Sequence, residues 1–134
     1  MTTTINASPS NGIVQTADGS GVMKLQSNGV TTNALAWVNF NGTGTVAIRS
    51  SYNVSSITDN GTGDYTINFA TALSDANYSV VTSVDAFAAA NSSVIAMGIY
   101  ESSTPTTSAV RVVCHRSNAS NYDATFCNVA IFGN

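Results

Sequence analysis

Few groups in this chain could do chemistry. His115 is the only histidine, and Cys114 and Cys127 are the only thiols. The acids are Asp18, Asp59, Asp64, Asp75, Asp85, Glu101 and Asp123. A histidine beside a serine and an aspartate could activate a hydroxyl nucleophile. Serines are everywhere, however, and no Gly-x-Ser-x-Gly elbow marks one of them. A glycosidase needs two carboxylates a few ångströms apart, but most of these acids lie in turns, where Asp is favoured for hydrogen bonds to its own backbone. Two Cys and one His lack the paired spacings of a zinc site. The residues therefore point to no catalytic centre, no cofactor and no metal. A polysaccharide-degrading enzyme, with Asp64, His115 and Asp123 as the residues to mutate, is the least favoured alternative.

Polar recognition is the chemistry that remains. Ser, Thr, Asn and Gly make up close to half of the 134 residues, and only 8% are charged, against about 25% in an average domain. Hydroxyls and amides keep such a surface soluble, order water and bind sugars. The segment 117–123 is a candidate contact loop, with Asn118, Asn121, Tyr122 and Asp123 as its candidate residues, and the loop 101–108 is a second. Trp37, Tyr100 and Tyr122 are candidate sugar-stacking rings. Core packing with the polar tip at the surface is the preferred reading for Trp37 and Tyr65; for Tyr122 contact and structural roles weigh equally. Asn-x-Ser/Thr triplets such as Asn41-Gly42-Thr43 arise by chance in this composition and carry little weight.

Charge and hydropathy exclude other partners. The net charge is −3, and the cations are Lys24, Arg49, Arg111 and Arg116. Nucleic acid would need them clustered. No apolar run approaches the ~20 residues of a membrane span. Met1-Thr2-Thr3-Thr4-Ile5-Asn6 shows neither a basic nor an apolar leader region, so synthesis in a cytoplasm is expected.

The elements that would position these groups are strands. Helix formers are scarce and β-branched residues plentiful. Strands are expected near 35–40, 44–50, 53–59, 63–69, 78–87, 94–101, 109–116 and 124–132, at the spacing of a sandwich or barrel. Asn41-Gly42-Thr43-Gly44 and Asp59-Asn60-Gly61-Thr62-Gly63 should turn two hairpins, and Asp75-Ala76-Asn77 should open a strand. Residues 86–90, Ala-Phe-Ala-Ala-Ala, read as a loop or strand end. The expected fold is an antiparallel, jelly-roll-like β-sandwich over 34–134, preceded by a β-rich arm over 1–33. The arm's apolar residues Ile13, Val14, Val22, Met23 and Leu25 cannot bury one another, so the arm should pack on a neighbouring subunit or a larger assembly, serving oligomerisation or docking, with a terminal hairpin folded onto its own domain as the alternative.

The last two strands offer a register. Val110, Val112 and Cys114 share one face, as do Cys127, Val129 and Ile131. Pairing Cys114 with Cys127 would match all six inward residues in one antiparallel ladder. A cross-strand disulfide is then geometrically conceivable, and two buried thiols are the favoured alternative, given a reducing compartment.

The wording of one long segment adds a resemblance. Trp37 to Phe69, followed by Asp75-Ala76-Asn77-Tyr78, is similar to a module recurring in tail-fibre and virion-surface proteins of tailed bacteriophages. Thr16 to Gly29 resembles the β-rich lead-in before such modules. The resemblance implies a structural virion protein made in the bacterial cytoplasm, a homotrimer that contacts other virion proteins of the tail or capsid. A fibre tip contributing to host attachment, through a surface glycan or protein, comes slightly ahead of a capsid decoration, cement or head-fibre role. The chain departs from full-length fibres in having no long repetitive shaft. Trimerisation also has a physical argument, since closed symmetry hides strand edges.

Overall fold

A computed structural model describes residues 26–27, 30–85, 95–118 and 120–133. The arm residues Ile13, Val14, Val22, Met23 and Leu25, and the stretch 86–90, lie outside the described residues. Ten strands are described: β1 (Gln26–Ser27), β2 (Val30–Thr31), β3 (Ala36–Asn41), β4 (Ala47–Tyr52), β5 (Val54–Gly61), β6 (Asp64–Phe69), β7 (Ser79–Val84), β8 (Ile95–Ile99), β9 (Ala109–Arg116) and β10 (Cys127–Phe132). Among the described residues there is no helix. Each of the eight strands expected after Ala34 is present.

β1 and β2 form a short ladder of their own. The other eight make two four-stranded sheets: sheet I in the order β4-β3-β10-β7 and sheet II in the order β5-β6-β9-β8. All pairings are antiparallel. Three hairpins, β3–β4, β5–β6 and β8–β9, stay within one sheet. Two-sheet antiparallel sandwich, not the finer jelly-roll name, is the description this strand order supports.

The sheets meet face to face because alternate residues are apolar. Ala36, Val38, Phe40, Val129 and Ile131 of sheet I and Tyr65, Ile67, Val110, Val112 and Cys114 of sheet II form one buried cluster. Period-2 alternation sends these inward and their neighbours out. The rings of Phe40 and Tyr65 meet across the interface edge-on, with centroids 5.1 Å apart. Thr82 Oγ1 donates to Met97 O at 2.6 Å, tying edge strand β7 to edge strand β8.

The first crossing from sheet I to sheet II, between β4 and β5, takes a single residue, Asn53. Its φ is 54°, a left-handed conformation that Asn tolerates better than most residues. The side-chain amide holds the corner. Nδ2 donates to Leu35 O at 3.1 Å and Thr71 O at 3.2 Å, and Oδ1 accepts from Thr71 N at 2.8 Å.

The expected ladder between β9 and β10 does not form. Cys127 pairs with Phe40 on one side and Val84 on the other, while Cys114 pairs with Met97. The six residues do point inward, but from opposite sheets. An inward-facing pattern is satisfied equally by a neighbour in the same sheet and by one across the core, and the ten residues between β9 and β10 are enough to make the crossing. Both cysteines are buried free thiols.

Candidate functional site

Most of the titratable side chains are committed to the fold. Asp59 accepts from Gly61 N at 2.9 Å, and Asp75 from Asn77 N at 2.6 Å. Asp85 accepts from Phe126 N at 3.1 Å. Asp64 takes a two-point bond from Arg111, Nε to Oδ1 at 2.8 Å and Nη2 to Oδ2 at 2.6 Å. The Arg111 guanidinium holds the Asp64 carboxyl below the usual carboxylate range. Each arginine also lies over a ring: Arg49 over Phe126 at 4.2 Å, Arg111 over Tyr100 and Arg116 over Tyr122, both at 4.4 Å. Burial pushes the Cys114 thiol up to about 11 and the Cys127 thiol to about 12, so neither is poised as a nucleophile. Among the described residues no group of three His, Cys, Asp or Glu side chains could hold a metal ion.

The candidate loop 117–123 is folded onto the end of the sandwich. Asp123 Oδ1 accepts from Gly63 N at 2.6 Å and from Tyr65 Oη at 2.8 Å. Tyr122 packs against the core beneath Arg116, and its N–H donates to Cys114 O at 2.9 Å. Asn118 caps its own turn, accepting from Ser120 N at 3.1 Å and Ser120 Oγ at 2.6 Å. Asn121 bridges to His115. His115 itself pairs with Ala96 of β8. Of the four candidate contact residues, only Asn118 and Asn121 are exposed.

The loops 101–108 and 117–123 flank the two ends of β9. Eight strand residues separate them by roughly 25 Å, so they sit at opposite poles and cannot form one contact surface.

A different surface emerges on the outer face of sheet I. There Trp37 of β3 and Val81 of β7 stand on either side of Ala130 of β10, all three in register. The next outward row is Asn39, Asn128 and Ser83, again in register. Asn39 Nδ2 donates to Asn128 Oδ1 at 2.6 Å, and Asn128 Nδ2 donates to Ser83 Oγ at 3.2 Å. Because Ala130 is small, the grid is hollow. It forms a cleft of about 290 Å³ with no charged residue in its lining. Trp37 is 38% exposed and Val81 58%. Tyr52, paired with Trp37, and Phe132 extend the apolar exposure along the same sheet.

Of the residues lining this cleft, Trp37 alone was among the expected contact groups, as a candidate stacking ring, with core packing preferred for it. Trp37 was expected in the core, yet Ala36, Val38 and Phe40 are the buried set of β3. Strict alternation from those three puts Trp37 and Asn39 outside, a signal present in the sequence. The contributions of β7 and β10 rest on non-local pairing and had no local signal. Tyr65, by contrast, packs in the core as expected, but its polar tip is buried with it and not at the surface.

No known protein family, curated protein or solved structure matches this chain.

Proposed function

We propose that this chain is a structural protein of a tailed-phage particle: a trimeric tail-fibre or fibre-tip protein, made in the bacterial cytoplasm, that contributes to host-surface attachment. The observation that carries the reading is the outer face of sheet I, where Trp37, Tyr52, Val81 and Phe132 are exposed beside a row of amides and hydroxyls. Apolar side chains gathered on the surface of a small domain mark a contact site, and a paired sheet presents them rigidly. The commitment of Asp64, Asp123 and the arginines to internal contacts favours recognition over turnover. The resemblance of the segment Trp37 to Phe69 to fibre modules supplies the particle context. Trimerisation would cover edge strands such as β4 and β5.

The same exposed face also supports a second reading, a capsid decoration or cement protein seated on another virion protein through Trp37 and Phe132.

The test is competition. Purified full-length protein should slow adsorption of its parent particle to host cells in proportion to its concentration. Undiminished adsorption at saturating protein sinks the attachment reading. Light scattering should give the mass of three chains; a monomer removes the trimer.

A further inference from the structure

We propose that the cleft on sheet I is a saccharide subsite that takes one or two rings of a neutral glycan, with Trp37 as the stacking platform and Asn39, Asn128 and Ser83 as the hydroxyl readers. The proposal rests on the attachment reading above and names its ligand class and its residues.

The cleft has the two-sided chemistry of a sugar ring. A pyranose offers an apolar C–H face and a rim of hydroxyls. Here an apolar row, Trp37–Ala130–Val81, runs alongside a polar row, Asn39–Asn128–Ser83, one strand repeat away. Two strand spacings separate Trp37 from Val81, roughly 10 Å between backbones, with only the Ala130 methyl between them. A ring can lie in that trough with its C–H face against the indole and its hydroxyl edge toward the amides. The volume of about 290 Å³ falls at the small end of ligand pockets, roughly 300–1,000 Å³, which matches one or two sugar rings.

The polar row is pre-ordered for hydroxyls. Donation runs one way, from Asn39 to Asn128 to Ser83. That leaves the Asn39 Oδ1 acceptor at one end and the Ser83 hydroxyl proton at the other. A sugar hydroxyl both donates and accepts, so neighbouring hydroxyls can answer both ends at once. Binding side chains already held in a chain loses less entropy than ordering free ones.

Other ligand classes fit less well. An anionic ligand or a phosphate would find no cation in the lining. A peptide adding as a strand needs free main-chain groups; β3 and β10 are paired on both sides, and a strand added to the open edge of β7 would lie beyond Val81, outside the trough. A lipid chain would need a longer apolar groove than one bounded by an amide row.

The experiment uses the full chain and its only tryptophan, Trp37, whose emission reads the site directly. Maltose, lactose and chitobiose are the probes, each titrated to about 50 mM to reach millimolar dissociation constants. The second readout is the side-chain amide NMR signals of Asn39 and Asn128. At least one probe should move both signals saturably. Ala130→Leu, which fills the trough from an outward position, should weaken that binding at least tenfold while keeping the wild-type melting temperature. Trp37→Ala should weaken it similarly. No response to any probe overturns the proposal, as does equal binding by Ala130→Leu. An emission that shifts with protein concentration and not with sugar also overturns it, in favour of a contact between copies. Adsorption separates the two levels of the argument. Competition by wild type and Ala130→Leu alike rejects the subsite and leaves attachment standing, whereas competition by neither rejects attachment itself.

Discussion

Tyr65 Oη donates to Asp123 Oδ1 at 2.8 Å, joining the middle of sheet II to a loop 58 residues later in the chain. The same carboxylate oxygen accepts from Gly63 N, and Gly42 O lies 3.1 Å from the phenol. One buried ring thus gathers the β3–β4 turn, the β5–β6 turn and the loop before β10. Burial, with the Asp123 carboxylate beside it, raises the Tyr65 phenol above its ordinary value, so it stays a donor. Tyr65→Phe keeps the ring and removes the proton. It should lower unfolding free energy by about 1–3 kcal/mol, the cost of stranding a polar partner. Denaturant unfolding measures it, and no loss would mean that the bond contributes nothing.

Asn53 separates backbone strain from hydrogen bonding. Asn53→Ala loses both tolerance of φ 54° and the three amide bonds to Leu35 and Thr71. Asn53→Gly loses only the bonds and gains backbone freedom. Alanine should therefore be the worse of the two by about 1 kcal/mol, with both below wild type. Thermal melts of the pair decide; glycine at or above wild type would show that the amide does not hold the corner.

Gly44 and Gly63 share a positive φ, 63° and 65°, but not their surroundings. A Cβ on Gly44 meets nothing within 4 Å. One on Gly63 would sit 2.5 Å from Cys114 O and 2.7 Å from Tyr122 N. Gly44→Ala should cost about 1–2 kcal/mol for conformation alone. Gly63→Ala should cost visibly more, because backbone atoms must move as well. Equal melting temperatures would contradict the close packing of the loop on the β5–β6 turn.

The thiols give a pH signature. Folding raises Cys114 from 9.0 to about 11 and Cys127 from 9.0 to about 12, in both cases chiefly by burial. Raised acids stabilise the fold fully below the unfolded value and lose that contribution as pH climbs through the folded ones. Stability should therefore hold up to about pH 9 and decline above it. At pH 8 an aromatic disulfide reagent should label neither cysteine in the native protein and both after unfolding. Rapid native labelling would contradict the buried placement.

The strands were legible where local chemistry speaks. Alternating Val, Ile and aromatic residues between Asn-Gly and Gly-x-Gly turns marked β3 to β6, and Asp75-Ala76-Asn77 precedes β7 as expected, with Asp75 accepting from Asn77 N. Sheet membership was not legible. Cys114 and Cys127 satisfy the same inward pattern whether they are neighbours in one ladder or face each other across a core, and only long-range pairing decides between those. The cleft on sheet I was half-legible: alternation in β3 turns Trp37 outward, while Val81, Ser83 and Asn128 reach the same cleft only because β10 lies between β3 and β7. The internal bonds of Asp123 were not legible for a physical reason. A carboxylate in a polar loop looks free until the glycine N–H and the phenol that claim it are brought in from 58–60 residues away.

The central claim is that this protein stands on the surface of a phage particle and presents sheet I to the outside. Gold-labelled antibodies against the native chain, imaged on purified particles, test it most directly. Label at the distal ends of the tail fibres is the expected result. Label spread over the head shell would move the protein to the decoration role, and particles that carry none of it would contradict the account.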